Sequence, residues 1–177
     1  MAPKRPRPVW ILTALLLLAV PVEARAQAGA GWTPAMAGIR IGNLEPGGRS
    51  VLGAQLHLPV LPGGWAELTP NADITFLHGL KEYQYSVDAL FISGGRHGGL
   101  MVGGGPAFRN SVFEEGGSRE TRKGWDLVVG LKTMPGQRIP FGIELQERWI
   151  FMKLPVNPRV LSFGVNLPLW GWGHFGS

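Results

Sequence analysis

The sequence has no cysteine, and only 16% of its 177 residues are charged. The first absence excludes a disulfide framework, a thiolate zinc site and a cysteine nucleophile. The second departs from the roughly 25% charge of an average soluble domain. No basic run exists beyond residue 26. Of the net charge of +5, Lys4, Arg5, Arg7 and Arg25 set against Glu23 contribute +3, which leaves 5 − 3 = +2 for the rest. That excludes the clustered positive footprint of a nucleic-acid binder. No internal repeat of 20–50 residues is visible, so a solenoid or propeller is not expected. Glycine is plentiful: 27 residues, about twice its usual share of roughly 7%. Apolar residues make up 45%, enough to exclude a disordered chain.

Residues 1–26 read as a secretory signal peptide. Lys4, Arg5 and Arg7 open it, Val9 to Val20 form its apolar core, and Ala24 and Ala26 supply the small residues before a cleavage point. That core of twelve residues would reach roughly 18 Å as a helix, short of the ~30 Å of a hydrocarbon layer. Nothing later approaches 18 consecutive apolar residues, so no spanning helix is expected there. Residues 27–34 are read as a lead-in, 35–170 as the folded body and 171–177 as a short tail.

The body alternates with a period of two over eight segments: 35–42, 50–60, 65–77, 82–92, 99–109, 123–132, 140–151 and 159–170. Turn-forming clusters separate them, among them EPGG at 45–48, LPGG at 61–64 and SGGRHGG at 93–99. In the last segment Leu161, Phe163, Val165, Leu167 and Leu169 share one face, and Ser162, Gly164 and Asn166 the other. In the third, Leu68, Ala72, Ile74 and Phe76 oppose Glu67, Thr69, Asn71, Asp73 and Thr75. Alternation of this kind gives each strand one apolar and one polar face.

A soluble barrel would turn the apolar face inward; a membrane barrel turns it to lipid. Three features favour lipid. Most segments reach the 9–11 residues that a tilted strand needs to cross a bilayer. Glycine collects on the polar face, at positions such as 38, 42, 53, 103, 105, 124, 130, 142 and 164, where a narrow lumen needs small residues. Aromatic residues sort by depth when the N-terminus is set in the periplasm. Tyr83, Tyr85, Phe108, Trp125, Trp149 and Phe151 fall near the outer rim; Trp65, Phe91, Phe141 and Trp170 fall near the inner one. Two aromatic girdles around an aliphatic belt are expected of a barrel in a bilayer.

The stretch Ser162-Phe163-Gly164-Val165-Asn166-Leu167-Pro168-Leu169, followed by Trp170, resembles the terminal assembly signal of bacterial outer-membrane barrels. The chain as a whole is similar to the small eight-stranded outer-membrane barrel proteins of the OmpA/OmpX type. The resemblance implies an all-β, antiparallel, up-and-down barrel exported to the outer membrane, a monomer without a cofactor. It implies outer-membrane lipid and lipopolysaccharide as surroundings, no nucleic acid, and the barrel-assembly machinery as the partner that reads Ser162, Gly164, Leu167, Leu169 and Trp170. The family usually ends at the aromatic residue, whereas seven residues follow Trp170 here.

The inward face collects Arg40, Arg109, Lys132 and Arg148 against Glu67, Asp73, Asp88, Asp126 and Glu144, with Gln55 and His57 among them. Buried ions need partners, so a salt-bridged plug is expected. Glu144 and Arg148 lie about 13 Å apart along one strand, too far to pair with each other. Glu144 is expected to meet Lys132 or Arg40, and Arg148 to meet Asp126 or Asp88. Some barrels of this kind modify lipid A, and the deacylases among them carry a His-x-Ser pair. No histidine here has that neighbour, and His57 with Asp73 or Asp88 is the remaining candidate for a base. Gly103-Gly104-Gly105-Pro106 lacks the Lys-Ser/Thr of a phosphate loop. Glu114, Glu115 and Glu120 lack calcium-loop spacing. Arg119, Arg122 and Lys123 stand where they would meet lipid phosphates. A non-catalytic structural or surface-interaction barrel is the leading reading. A passage for small hydrophobic molecules, with prolines 59, 70, 106 and 168 loosening a seam, and a lipid A-modifying enzyme are the alternatives.

Overall fold

A computed structural model of the chain describes residues 33–77, 80–113, 119–136, 139–153 and 157–169. The segments read as signal peptide and C-terminal tail, and Trp170, lie outside the described residues. Eight strands follow one another: β1 (Met36–Glu45), β2 (Arg49–Pro59), β3 (Ala66–Leu77), β4 (Leu80–Ile92), β5 (Gly98–Phe113), β6 (Arg119–Thr133), β7 (Gly142–Met152) and β8 (Arg159–Pro168). Each pairs antiparallel with its neighbours, and β8 closes on β1 from Met36↔Pro168 to Glu45↔Arg159. The closure leaves no free edge, the usual hazard of an exposed sheet.

The register fixes the tilt. A row of paired residues starting at Pro59 passes through Glu67, Leu90, Gly103, Val128, Arg148, Val160 and Leu44. It returns to β2 at Arg49, ten positions from where it began. Eight strands with that stagger tilt by about 40°, inside the 35–45° common to barrels. An interior of eight strands is just wide enough to be filled by side chains.

The boundaries differ from the sequence expectation at one end. β1 runs on to Glu45, and β5 and β6 continue pairing as far as Val112↔Arg119, well beyond the expected limits of 109 and 123. These outer rungs carry Asn110 and Thr121 in place of an aliphatic outward row, with Arg122 on the inward face, so the period-two signal fades although the ladder persists. Side-chain bonding supports the extension: Thr121 donates to Asn110 at 2.7 Å. At the opposite rim, β8 ends at Pro168, and the Leu169 N–H donates to the Ala35 carbonyl at 2.9 Å.

Leu52, Ile39, Ile41, Val87, Val102, Leu127, Leu131, Leu145, Phe163 and Leu167 are exposed on the outside, while charged and amide side chains fill the interior. An apolar exterior around an ionic interior is the reverse of a soluble barrel and suits hydrocarbon surroundings. Proline interrupts the ladder twice. Two pairs are missing beside Pro70 on the β2–β3 seam and two beside Pro106 on the β4–β5 seam. The register is the same on both sides of each interruption, so neither is a slip. Next to the second, the Gly105 N–H donates to the Asp126 side chain at 3.1 Å.

Candidate functional site

Two groups of buried ions occupy the lumen. The central group is built on two guanidinium forks. Arg40 of β1 donates from Nε to Asp73 Oδ1 at 2.9 Å and from Nη2 to Asp73 Oδ2 at 2.6 Å. It also reaches Gln55 at 2.8 Å and Asn71 at 2.9 Å. Arg148 of β7 crosses the lumen to β4. It donates to Asp88 at 2.8 Å, to Asp126 at 2.6 Å, to Asn71 at 3.0 Å and to Ser86. Asn71 joins the forks: its Oδ1 accepts from both arginines and Ser86, while its Nδ2 donates to Asp88 at 2.8 Å. A planar five-donor fork matches this demand in a way that an ammonium cannot.

Glycine makes room for the group. A Cβ on Gly53 would overlap the Asp73 carboxylate and lie 2.9 Å from Arg40 atoms, and one on Gly38 would overlap the Asn166 amide. Gly164 packs beside the Arg40 Cβ and the Gln55 amide.

The second group sits nearer the rim where β1 begins. Lys132 Nζ donates to both oxygens of Glu67, at 2.7 and 2.8 Å, and lies 2.8 Å from His57 Nδ1. His57 Nδ1 is itself 2.6 Å from Glu67 Oε1, and His57 Nε2 is 3.3 Å from Glu144. That last approach is an ion-pair distance without hydrogen-bond alignment. Asn166 donates to Glu144 at 3.2 Å and accepts from Gln55 at 3.0 Å. A chain of contacts therefore runs from Arg40 through Gln55, Asn166, Glu144 and His57 to Glu67 and Lys132.

The lumen is layered along its axis. Toward the rim formed by the β1–β2 turn, Leu44, Val51, Ala107, Ile150, Met152 and Val160 form an apolar layer over the arginines. Beyond it Arg109 pairs with Glu82, which also accepts from Ser111 at 3.3 Å. At the other rim, Leu90, Ile92, Met101 and Val128 pack together.

Two sequence expectations need correction. Glu144 does not bond Lys132 or Arg40; it takes His57 and Asn166. Lys132 is the register neighbour of Glu144, but its flexible stem carries the ammonium across the lumen to Glu67. His57 meets Glu67 and Glu144, not Asp73 or Asp88; among the described residues no serine contacts its ring, where the Thr69 hydroxyl lies 3.5 Å from Nδ1. Sequence reasoning also missed Glu82, whose position at the very start of the alternating segment concealed its inward parity. Asn71, Ser86 and Asn166 were legible as inward polar residues but not as connectors. Among the described residues no His/Cys/Asp/Glu group is arranged to hold a metal ion.

On the outside, Trp65 and Phe91 stack with ring centroids 6.2 Å apart near the rim where β1 begins, with Phe141 just before β7. Tyr85 pairs in register with Phe108, and Trp125 with Phe151, near the other rim; Tyr83 and Trp149 face outward with them. Phe91 and Tyr83 are eight residues apart on β4. At a tilt of about 40° that spans roughly 20 Å of height, close to the ~25 Å apolar band of such barrels. One outward carboxylate interrupts the band: Glu147, between Leu145 and Trp149, lies 3.5 Å from Arg159, which also holds Glu45 at 2.6 Å. In the last strand Ser162 and Gly164 face inward, while Leu167 and Leu169 face outward.

A closed, eight-stranded, up-and-down barrel with an apolar outside and an ion-filled inside defines the class: the fold is that of the small eight-stranded outer-membrane barrels. The chain is similar to the N-terminal β-barrel domain of OprF from Pseudomonas aeruginosa, with a TM-score of 0.61 and 15% identity over 77% of this chain and 97% of that one. It is also similar to Neisserial surface protein A, with a TM-score of 0.60 and 12% identity over 76% of this chain and 95% of that one. No protein-family model and no curated protein sequence matches it.

Proposed function

We propose that the chain is a non-catalytic outer-membrane barrel with a structural or surface-interaction role, exported behind a cleaved signal peptide and closed by its own lumenal charges. The observation that carries this reading is the central cluster. Arg40 and Arg148 each engage four acceptor groups or atoms, and both are almost wholly buried. A conducting or transporting lumen needs ions that can exchange partners with water. Here each fork is held by four acceptor atoms and an apolar layer covers both. The same packing argues against catalysis: His57 is enclosed by Glu67, Glu144 and Lys132, and the hydroxyl beside its ring, Thr69 Oγ1 at 3.5 Å from Nδ1, is buried with them away from any substrate path.

In this reading outer-membrane lipid and lipopolysaccharide surround the barrel. The barrel-assembly machinery reads β8 through Ser162, Gly164, Leu167, Leu169 and Trp170, and the folded protein works as a monomer. The interruptions beside Pro70 and Pro106 support a passage for hydrophobic molecules less well, since charged groups lie directly behind both. The test is reconstitution of the purified barrel in planar bilayers. No steady conductance is expected. Large, stable, voltage-independent conductance would identify a pore and overturn the proposal.

A further inference from the structure

Two donors at the outer end of the lumen meet no acceptor of the protein. Gln84 of β4 and Arg109 of β5 are register partners. Both alternate to the inward face, and each is only 6% exposed. Arg109 Nη2 donates to Glu82, but the Arg109 Nε–H is unpaired, and so is the Gln84 side-chain nitrogen. Buried polar groups are ordinarily hydrogen-bonded. Two unpaired donors on adjacent side chains suit a ligand that brings acceptors to both.

Their place in the lumen sets the side of approach. Ala107, a member of the apolar layer, precedes Arg109 by two residues on the same face of β5. The layer is completed on β1, β7 and β8 by Leu44, Ile150 and Val160. It therefore separates Gln84 and Arg109 from free exchange with the arginine forks, and a ligand reaches them from the outer rim. The groups beside them on β3–β5 are polar: Glu82 accepts from Ser111 at 3.3 Å and is the register partner of Thr75.

Charge selects the ligand. The described inward residues at this rim include the cations Arg49, Arg109 and Arg122 and the acids Glu82 and Glu120. Arg109 holds Glu82 and Arg122 holds Glu120, which leaves an excess of one positive charge and favours a monoanion. Donors on two neighbouring side chains match the two oxygens of a carboxylate, and a charged acceptor makes the stronger hydrogen bond. A dianion such as sulfate would set its second charge against Glu82, and a neutral amide forgoes the charge assistance.

We infer that Gln84 and Arg109 form a site at the outer mouth of the lumen that binds a small monocarboxylate from the external medium. The Arg109 Nε–H donates to one carboxylate oxygen and the Gln84 amide to the other. This rests on the outer-membrane placement proposed above, which sets this rim outside, and it gives the surface-interaction role a ligand class.

The test follows the side-chain N–H resonances of Arg109 and Gln84 by NMR in the isotope-labelled, full folded barrel in phosphatidylcholine nanodiscs. Sodium acetate is titrated against sodium sulfate, sodium chloride and acetamide at matched ionic strength. Acetate should shift both resonances with saturation in the millimolar range, and the other three should not. Gln84→Met, shown to be folded by its heat-dependent gel shift, should bind acetate at least fivefold more weakly. Lys153→Gln, which removes an exposed cation from the same rim, should stay within twofold of the native affinity. Failure of acetate to give a saturable shift in the native barrel overturns the site, with or without a folded Gln84→Met variant. An equal response to chloride or sulfate overturns the carboxylate assignment. Exchange of both N–H groups with a bound water that acetate leaves in place overturns it as well. Planar bilayers in sodium acetate separate the site from the broader reading: a steady acetate current would refute the closed lumen while the binding stood, and absent binding in a non-conducting barrel would refute the site alone.

Discussion

The two ion groups in the lumen solve the same problem with different chemistry. In the central group two guanidinium forks carry fixed charge; Arg40 is tied to residues of two other strands and Arg148 to residues of three. In the group around His57, a flexible ammonium and an imidazole share two carboxylates, and one imidazole contact is an ion pair without hydrogen-bond alignment. Planar, multidentate donors lock the register of the surrounding strands, whereas Lys132 and His57 fill a space that its acids define. Removing a fork therefore strands more buried charge than removing one acid of the other group.

Arg148→Met should produce the largest effect. It leaves Asp88 and Asp126 without their cation and should cost on the order of 3–5 kcal/mol. Denaturant unfolding of the barrel in detergent micelles, followed by the heat-dependent gel shift, measures it. Arg148→Lys should recover little, because a point charge cannot span both acids.

Glu144→Ala should cost less, roughly 1.5–3 kcal/mol, the range for lost hydrogen bonds to a charged group. His57 keeps Glu67, and Asn166 keeps Gln55. A loss equal to that of Arg148→Met in the same unfolding assay would erase the distinction between the groups.

Gly53→Ala probes the fit of the central group without touching a charge. The added methyl meets the Asp73 carboxylate and Arg40, and overpacking of this size costs about 1–3 kcal/mol. An unchanged unfolding midpoint would mean that the fork is loosely held.

Glu147→Gln should have the smallest effect, within about 1 kcal/mol, because its partner Arg159 is more than half exposed and retains Glu45. A larger loss of folded barrel after reconstitution in lipid than in detergent would give this pair a role in the apolar band.

Much of this arrangement was legible in the sequence. The alternation of Leu161, Phe163, Val165 and Leu167 with Ser162, Gly164 and Asn166 gave both the strand and its facing, because lipid and lumen impose opposite demands on successive residues. The rungs of β5 and β6 from Asn110 and up to Arg122 were not legible, since beyond the apolar band both faces are polar and the period disappears. Pairing inside the lumen was partly legible. Arg148 reaches Asp88 and Asp126 because no nearer acid competes. The Lys132–Glu67 contact joins β6 to β3 across the lumen, a proximity that no spacing along the chain encodes.

The central claim is that water does not reach the interior. Because the chain has no cysteine, a single one can report on it. Ser162→Cys places a thiol at a buried inward position of β8, and Ser50→Cys places one at an exposed position near the start of β2. A charged methanethiosulfonate reagent should label Ser50→Cys in the folded barrel. It should leave Ser162→Cys unlabelled until the barrel is unfolded by heat. Rapid labelling of Ser162→Cys in the folded state would mean that the lumen is open to solvent, and the account of a charge-closed barrel would fail.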